Sequence, residues 1–320
     1  MATPEQFAPV AIASRNELDE SVHFGAVVCL GPSGDIETAV GDPQVVVFPR
    51  SSNKPMQAVA MVRAGLRLPP ELLALVCASH DGTPMHLDGA LRILASAGLG
   101  ESALANTPSW PLDEASAHAA IRSGGGRTAL QMNCSGKHAG MLATCVVQGW
   151  SHLDGSYLAI DHPLQTAITE VIEETTAESC AGIGVDGCGA PAHAFSLVGL
   201  ARAFRAVATA PVGSAAAEVY AAMTSHPQMV GGATRDVTLL MQRVPGLVAK
   251  DGADGVFAAA LPDGRAVAVK IADGGDRARP PVMLAALRAL GVDVHDVAPL
   301  LVSRILGHGR PVGEVRAIAP

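Results

Sequence analysis

The segment VFAAALPDGRAVAVKI at residues 256–271 decides the fold class of this chain. Two apolar runs, 256–261 and 266–271, flank a Pro-Asp-Gly turn, which is the pattern of a β-hairpin. Near the N-terminus, further runs rich in β-branched residues are separated by turns and predict a short meander of strands at 22–30, 36–40 and 45–48. Residues 313–318 predict one more strand. We therefore expect an antiparallel sheet that draws its strands from both ends of the chain.

The middle of the chain has helical periodicity instead. Apolar residues recur at helical spacing in runs bordered by Pro or Gly, namely 55–66, 72–78, 87–97, 138–147, 164–174, 195–207 and 215–223. A last amphipathic run, 281–290, ends at Gly291. We expect an α+β protein of one unit, residues 1–320, with a sheet lobe formed by 1–50 and 250–320 and an inserted, mainly helical lobe formed by 51–249.

Composition and charge exclude several classes of function. The 320 residues are 49% hydrophobic and 16% charged, which excludes disorder along most of the chain. The formal net charge is −8 and the basic residues are scattered, so nucleic acid is not expected as a partner. No apolar run approaches the roughly 20 residues of a membrane helix. Without a signal-peptide pattern, and with six cysteines expected as reduced thiols, the sequence predicts a soluble cytoplasmic protein.

The first candidate for chemistry is RSSNKP at residues 50–55, between an apolar strand and a helix. Ser51 and Lys54 are three residues apart, so a helical turn would place the amine within reach of the hydroxyl. A desolvated lysine with a lowered pKa can take the serine proton, as in Ser-x-x-Lys enzymes. Pro55 disfavours α geometry at Lys54, which favours a 3-10-like turn or a loop. The same spacing also fits a helix N-cap serine followed by a solvated lysine.

Two further residues lie where a catalytic role is possible. Ser79 belongs to CASHDG at 77–82, where an apolar helix ends, and the alternative is an ordinary helix C-terminus. Lys270 lies in the predicted strand 266–271, on a face shared with two alanines that leave room around its side chain. That position is equally compatible with an exposed lysine on a solvated face of the sheet.

Two loops carry isolated thiols beside other possible ligands. NCSGKH spans residues 133–138, and DGCGAP spans 186–191. Cys134 and Cys188 could share a zinc ion, but without a Cys-x-x-Cys knuckle they also fit the pattern of small buried thiols. Nearby glycine-rich stretches lack the full spacing of a phosphate-binding loop, so no nucleotide site is predicted.

Five motifs together resemble the Rhizobium etli type of L-asparaginase, in order and at compatible spacing. They are RSSNKP (50–55), ASHDG (78–82), NCSGKH (133–138), DGCGAP (186–191) and VKIADGGDRA (269–278). The resemblance implies a serine-β-lactamase-like fold and the hydrolysis of L-asparagine to L-aspartate and ammonia. It also implies a homodimer.

On the matching positions the resemblance implies two Ser-Lys pairs, Ser51 with Lys54 and Ser79 with Lys270. The expected mechanism is acyl transfer: Ser51, deprotonated by Lys54, attacks the side-chain amide, ammonia leaves, and water cleaves the acyl-enzyme. Arg50 is expected to pair with the substrate carboxylate. L-Asparagine is thus the expected small-molecule substrate.

The same resemblance implies one zinc ion per chain, held by Cys134, Lys137 and Cys188 with a water in the open position. A lysine ligand must be neutral, so zinc binding should displace its proton and weaken as the pH falls. From the residues alone, His138 would be chosen as a ligand. It is assigned here to substrate binding as a close neighbour of the metal, together with Asp186.

Three other functions stay open. A glutaminase on the same scaffold would differ by one methylene in its substrate, which a hydrophobic pocket discriminates by only about 1–3 kcal/mol. A penicillin-recognising enzyme would share Ser-x-x-Lys, but Lys270 is followed by Ile271 and Ala272 rather than Thr-Gly. A non-catalytic zinc protein would use the metal only to brace two loops.

Overall fold

The computed structural model describes residues 3–320, and its strands lie mainly towards the two ends of the chain. In chain order they are β1 (Ala8–Arg15), β2 (Leu18–Leu30), β3 (Ile36–Val40), β4 (Val46–Val47), β5 (Gly182–Val185), β6 (Pro191–Ser196), β7 (Val248–Gly252), β8 (Val256–Ala260), β9 (Ala266–Ile271), β10 (Ser303–Gly307) and β11 (Arg310–Ala317).

Within residues 3–320, eight strands form one antiparallel sheet in the order β10-β11-β1-β2-β9-β8-β7, with β3 paired to β2. β8 and β9 form the predicted hairpin, and Val269 on β9 is aligned with Phe257 on one side and Val27 on the other. Strands β4, β6 and β5 form a smaller antiparallel sheet. The predicted α+β fold, with a sheet built from both chain ends, is therefore confirmed.

Three strands of the large sheet are additional to the predicted ones: β1, β7 and β10. β10 has the mixed sequence SRILG and is only partly buried, so it lacks the continuous apolar run by which β8 and β9 were predicted. β1 does begin with an apolar run, but a proline lies within it and the strand is only partly buried. β7 is fully buried but carries two charged residues, Lys250 and Asp251, which interrupt the apolar pattern. Each is held in place by pairing with a neighbouring strand rather than by a strong local signal.

The helices lie mainly between β4 and β7. They are α1 (Lys54–Arg63), α2 (Pro70–Val76), α3 (Pro84–Ser96), α4 (Glu114–Arg122), α5 (Ser135–Gln148), α6 (Pro163–Thr176), α7 (Leu197–Ala208), α8 (Ala215–Ser225), α9 (Pro227–Val230), α10 (Asp236–Arg243) and α11 (Arg279–Ala289). Each predicted helical run overlaps one of them, and α4, α9 and α10 are additional. One boundary was wrong: Phe195 and Ser196 belong to β6, and α7 begins after them because Ser196 Oγ accepts a hydrogen bond from the Gly199 N–H at 2.9 Å.

The helices and the sheet share one hydrophobic cluster, and α7 and α11 both pack against β9. Burial on this scale is the main source of the stability of such a fold. In the part of the chain from residue 3 onwards, no helix is long and apolar enough to cross a membrane.

A close contact between α2 and α5 positions two of the candidate segments. A Cβ atom built on Gly136 would lie 2.5 Å from the carbonyl oxygen of Leu75, so only glycine allows the first turn of α5 to come this close to α2. Ser79 follows the end of α2, and Cys134 immediately precedes α5. The contact therefore brings the loops of Ser79 and Cys134 to the same region of the molecule.

Candidate active site

The Ser-x-x-Lys segment forms a 3-10 turn that leads into α1. The turn spans Arg50–Asn53, and α1 begins at Lys54 with Pro55 in its first turn, where the missing N–H breaks no helical hydrogen bond. The 3-10-like turn that Pro55 favoured is therefore observed. Arg50 has a φ of +53°, in the left-handed region, so the chain bends sharply before the helix.

Lys54 contacts Ser79 rather than Ser51. Its Nζ lies 3.1 Å from Ser79 Oγ, and it also donates a hydrogen bond to the carbonyl oxygen of Ala78. Lys54 and Ser51 are joined by a backbone hydrogen bond, and no side-chain hydrogen bond joins them in the described chain. The residues are thus paired differently from the expectation: the lysine of one expected pair contacts the serine of the other.

Burial accounts for this choice of partner. Lys54 is 2% exposed, so its amine needs hydrogen-bond acceptors inside the protein, and the segment after α2 supplies them. That segment is fixed by backbone hydrogen bonds, from the Ser79 N–H to Val230 at 3.0 Å and from the His80 N–H to Asn133 at 2.9 Å. Ser79 is itself buried, which shields its contact with Lys54 from water.

The environment of Lys54 favours its neutral form. Burial lowers the pKa of Lys54 below its ordinary value of 10.5, and the positive charge of Lys137 lowers the pKa further. The sulfurs of Cys134 and Cys188 and the carboxylate of Asp186 oppose that shift. A lysine with a lowered pKa has a larger neutral fraction near pH 7, and the neutral amine is the form that accepts a proton from serine.

Arg50 and Lys270 both lie against Asp254 at the entrance of the site. Lys270 Nζ donates to the carbonyl oxygen of Asp254, and Arg50 donates to the Asp254 carboxylate. Arg50 also contacts Asp186, with its Nε 2.9 Å from Oδ1. Arg50 and Asp186, both predicted substrate contacts, are thus brought together. Lys270, in contrast, makes no hydrogen bond to Ser79 among residues 3–320.

The two loop thiols meet beside the start of α5. Cys134 immediately precedes this helix, and Cys188 lies between β5 and β6. The sulfur atoms of both and a ring nitrogen of His138 lie within 4.8 Å of one another. Lys137 Nζ lies 3.1 Å from Cys188 Sγ. The three predicted metal ligands and His138 therefore form one buried cluster.

His138 offers this cluster a buried ring nitrogen. Its Nδ1 lies 2.8 Å from the hydroxyl of Tyr157, whereas its Nε2 is buried and has no hydrogen-bond partner in the described part of the chain. Burial, together with the charge of Lys137, lowers the pKa of His138 to about 4, so the ring is neutral at pH 7. A neutral imidazole nitrogen beside two sulfurs is a donor set that suits zinc.

Two groups of the cluster favour their charged forms, the thiol of Cys188 and the amine of Lys137. A hydrogen bond from the Cys134 thiol and the charge of Lys137 lower the pKa of Cys188 against the effect of burial. Burial raises the pKa of Cys134. Burial alone would lower the pKa of Lys137, but the two sulfurs outweigh it and raise the pKa. The cluster therefore holds Lys137 as an ammonium, which must lose a proton before it can bind a metal.

A small polar recess and a large groove meet beside Arg50. The recess has a volume of about 10 Å³ and is lined mainly by polar side chains, namely Arg50, Asn53, Lys54, Gln57, Lys137, Asp186 and His193. The groove has a volume of about 860 Å³ and is largely apolar, with Phe7, Phe24 and Phe48 in its lining. Arg50 and Ala192 line both spaces, so the groove and the recess adjoin at these two residues.

A buried ionic network beside the site was not predicted from the sequence. Lys250 is fully buried on β7 and donates to Asp251, whose Oδ2 lies 2.6 Å from Arg235. Arg235 also lies 3.2 Å from Oδ1 of Asp81, two residues after Ser79. The network thus ties β7 to the Ser79 loop. Its only sequence signal was the adjacent pair of opposite charges in the apolar run LVAKDG at 247–252.

The fold and the site define an α+β protein with a buried serine–lysine pair beside a cluster of thiols. The chain belongs to the L-asparaginase II family, whose model matches residues 11–317. This membership supports an amidohydrolase that acts on a small molecule. It does not distinguish the Rhizobium etli type within the family.

Three of the solved structures to which the chain is similar each align with 83% of it. A β-lactamase from Mycobacterium bovis is 16% identical, with 94% of its chain covered and a TM-score of 0.39. A putative β-lactamase from Bacteroides dorei DSM 17855 is 13% identical, with 92% covered and a TM-score of 0.44. EstCE1, described as a hydrolase with promiscuous acyltransferase activity, is 11% identical, with 93% covered and a TM-score of 0.43. No curated protein matches the chain significantly.

Proposed function

We propose that this chain hydrolyses L-asparagine to L-aspartate and ammonia, with Lys54 as general base and Ser79 as nucleophile. The observation that carries the proposal is the buried contact of 3.1 Å between Lys54 Nζ and Ser79 Oγ. The family of the chain and the polar recess beside Lys54 agree with a small amide as substrate.

The proposed reaction has two steps. Ser79 Oγ attacks the side-chain carbonyl carbon of asparagine while its proton passes to Lys54. Lys54 then protonates the leaving nitrogen, the C–N bond breaks, and ammonia departs from an aspartyl ester on Ser79. In the second step Lys54 takes a proton from water, whose oxygen attacks the ester. Aspartate leaves, and the proton returns to Ser79.

Ser51, Lys270, Arg50 and Asp186 are proposed to form the entrance of the site. Ser51 is half-buried next to Arg50, and Lys270 lines the groove. Burial lowers the pKa of Lys270. Arg50 would bind the substrate carboxylate, which would compete with Asp186 for the guanidinium, while Asp186 would accept from the substrate ammonium.

A zinc ion in the thiol cluster is part of the proposal. The residues fit the ion, because the two buried sulfurs lie within 4.8 Å of each other and of a ring nitrogen of His138, and Lys137 Nζ, once it has lost its proton, is a further donor 3.1 Å from Cys188 Sγ. Cys134, Lys137 and Cys188 would hold the zinc, and His138 would lie beside it. When bound, the ion would supply positive charge that positions or polarises the substrate.

A homodimer and a cytoplasmic location are further parts of the proposal. The six cysteines are free thiols in the structure from residue 3 onwards, which agrees with a reducing compartment. Light scattering on the purified protein tests the dimer, and a mass of one chain would contradict it.

The proposed function is tested by ammonia release from L-asparagine and, side by side, from L-glutamine, with elemental analysis of the same sample. Faster release from asparagine supports the proposal, and faster release from glutamine would make the chain a glutaminase. A folded, zinc-loaded protein that releases no ammonia from either would favour a zinc-braced structural protein.

A further inference from the structure

Two amide side chains that line the polar recess have oxygens that accept no hydrogen bond within residues 3–320. Asn53 and Gln57 are 3% and 4% exposed, and both line the recess together with Lys54. The Oδ1 of Asn53 and the Oε1 of Gln57 are fully enclosed and have no hydrogen-bond partner among residues 3–320. Because a buried amide without a partner destabilises a fold, two of them in one recess call for a functional explanation.

The position of these amides in the helix strengthens the observation. Asn53 is the residue before α1, where an asparagine side chain commonly accepts a hydrogen bond from the first turn, yet it makes no such cap. Gln57 lies one turn further along the same face. From β6, His193 presents a buried Nδ1 that also lacks a partner in the described chain, while its Nε2 lies 2.8 Å from Thr169. The three residues that carry these unpartnered atoms therefore all line one recess.

We infer that Asn53 and Gln57 recognise the terminal carboxamide of the substrate. The inference rests on the proposed function and adds to it the residues that select an amide. A carboxamide carries an NH₂ donor and a C=O acceptor, so it can pair with another carboxamide whichever way round the second one lies. Lys54 lines the same recess, so a carboxamide bound there lies beside the proposed base.

The size of the recess agrees with this assignment. About 10 Å³ is roughly the space that one water molecule needs, so the recess admits one water-sized group, such as the NH₂ of the carboxamide, and excludes a whole amino acid. The charged ends of the substrate would then lie towards Arg50, which lines both the recess and the groove, and its partner Asp186. Aspartate, the product, has a carboxylate in place of the carboxamide and no N–H there to donate to the two enclosed oxygens. Asn53 and Gln57 would therefore distinguish the amide from the acid.

The test compares Gln57→Met and Asn53→Leu with a matched control, Asn106→Leu. Asn106 is also a buried amide with an unpartnered Oδ1, but it lines neither the recess nor the groove and donates to Ala129 at 2.7 Å. The measurements are KM and kcat for ammonia release from asparagine, the inhibition constant of aspartate, and the melting temperature with and without asparagine.

We expect each recess variant to raise KM for asparagine about tenfold while the inhibition constant of aspartate stays within about twofold. The melting temperature without ligand should stay level or rise, because no protein hydrogen bond is lost. In Asn106→Leu the melting temperature should fall, with KM unchanged. A recess variant that loses stability and keeps the wild-type KM would overturn the inference.

Ammonia release tests the proposed function, and the effect of asparagine on the melting temperature tests the recognition of the carboxamide separately. A wild-type protein that releases no ammonia contradicts the function. If asparagine still raises its melting temperature, and no longer does so in Gln57→Met, the recognition of the carboxamide stands. If asparagine leaves the wild-type melting temperature unchanged, the inference is overturned.

Discussion

Lys54 Nζ lies 3.1 Å from Ser79 Oγ, although the two residues are 25 positions apart in the chain. The contact joins the first turn of α1 to the segment after α2, and both side chains are buried. An amine that shares a dry site with a hydroxyl, and whose pKa is lowered, has the properties of a general base.

Ser79→Ala removes the proposed nucleophile. We expect ammonia release from asparagine to fall by on the order of 10³-fold or more, with the melting temperature little changed. Ser52→Ala is the control, because Ser52 is a buried neighbour whose hydroxyl donates to the Lys250 carbonyl oxygen at 2.9 Å. That variant should lose about 1 kcal/mol of stability and keep its activity. Near-normal activity in Ser79→Ala, with loss of activity in Ser51→Ala, would show that Ser51 is the nucleophile.

The pH–rate profile reports the protonation of Lys54. Because the neutral amine is the active form and burial lowers the pKa of Lys54, kcat/KM should rise with pH along an acidic limb whose midpoint lies below 10.5. Lys54→Arg should be inactive at every pH, since a guanidinium stays protonated. A rate that falls as the pH rises through this limb would be inconsistent with a lysine base.

Zinc content tests the thiol cluster. Wild-type protein should contain about one zinc per chain, and Cys188→Ser should lose the metal because it removes the more acidic of the two thiols. Cys180→Ser is the control, since Cys180 is half-buried outside the cluster. Elemental analysis of dialysed samples measures both. Zinc that is absent from the wild type, or retained in Cys188→Ser, would refute this site.

Gly136→Ala tests the close approach of α2 and α5. In most helices this change stabilises, but here the new Cβ would lie 2.5 Å from the Leu75 carbonyl oxygen, so we expect a loss of about 1–3 kcal/mol. Gly126→Ala is the matched control, because a Cβ there meets no atom within 4 Å. Thermal unfolding compares the two. Equal melting temperatures would show that α5 can shift away from α2 without cost.

Much of the fold could be predicted because its signals are local. The hairpin of β8 and β9 is marked by a Pro-Asp-Gly turn between apolar runs, and the long helices by their periodicity. β7 could not be predicted in this way, because Lys250 and Asp251 interrupt its apolar pattern. They are buried as an ion pair that Arg235 also joins, and no local pattern reveals the position of Arg235 in the fold.

The site could be predicted as a set of residues but not as a set of contacts. The spacing of Ser51 and Lys54 indicated a local pair. In the structure Lys54 instead contacts Ser79, which lies in the segment after α2 and comes close to Lys54 only in the folded chain. Asn53 and Gln57 were missed for a related reason. An asparagine before a helix predicts a cap, and the sequence carries no signal that its side chain faces a recess.

The most direct test of the account is to identify the residue that becomes acylated. Protein mixed with asparagine, quenched rapidly in acid and digested, is mapped by mass spectrometry for a peptide that carries an aspartyl ester. We expect the ester on Ser79 in the wild type and no ester in Lys54→Met. An ester on Ser51, or full labelling of Ser79 without Lys54, would contradict it.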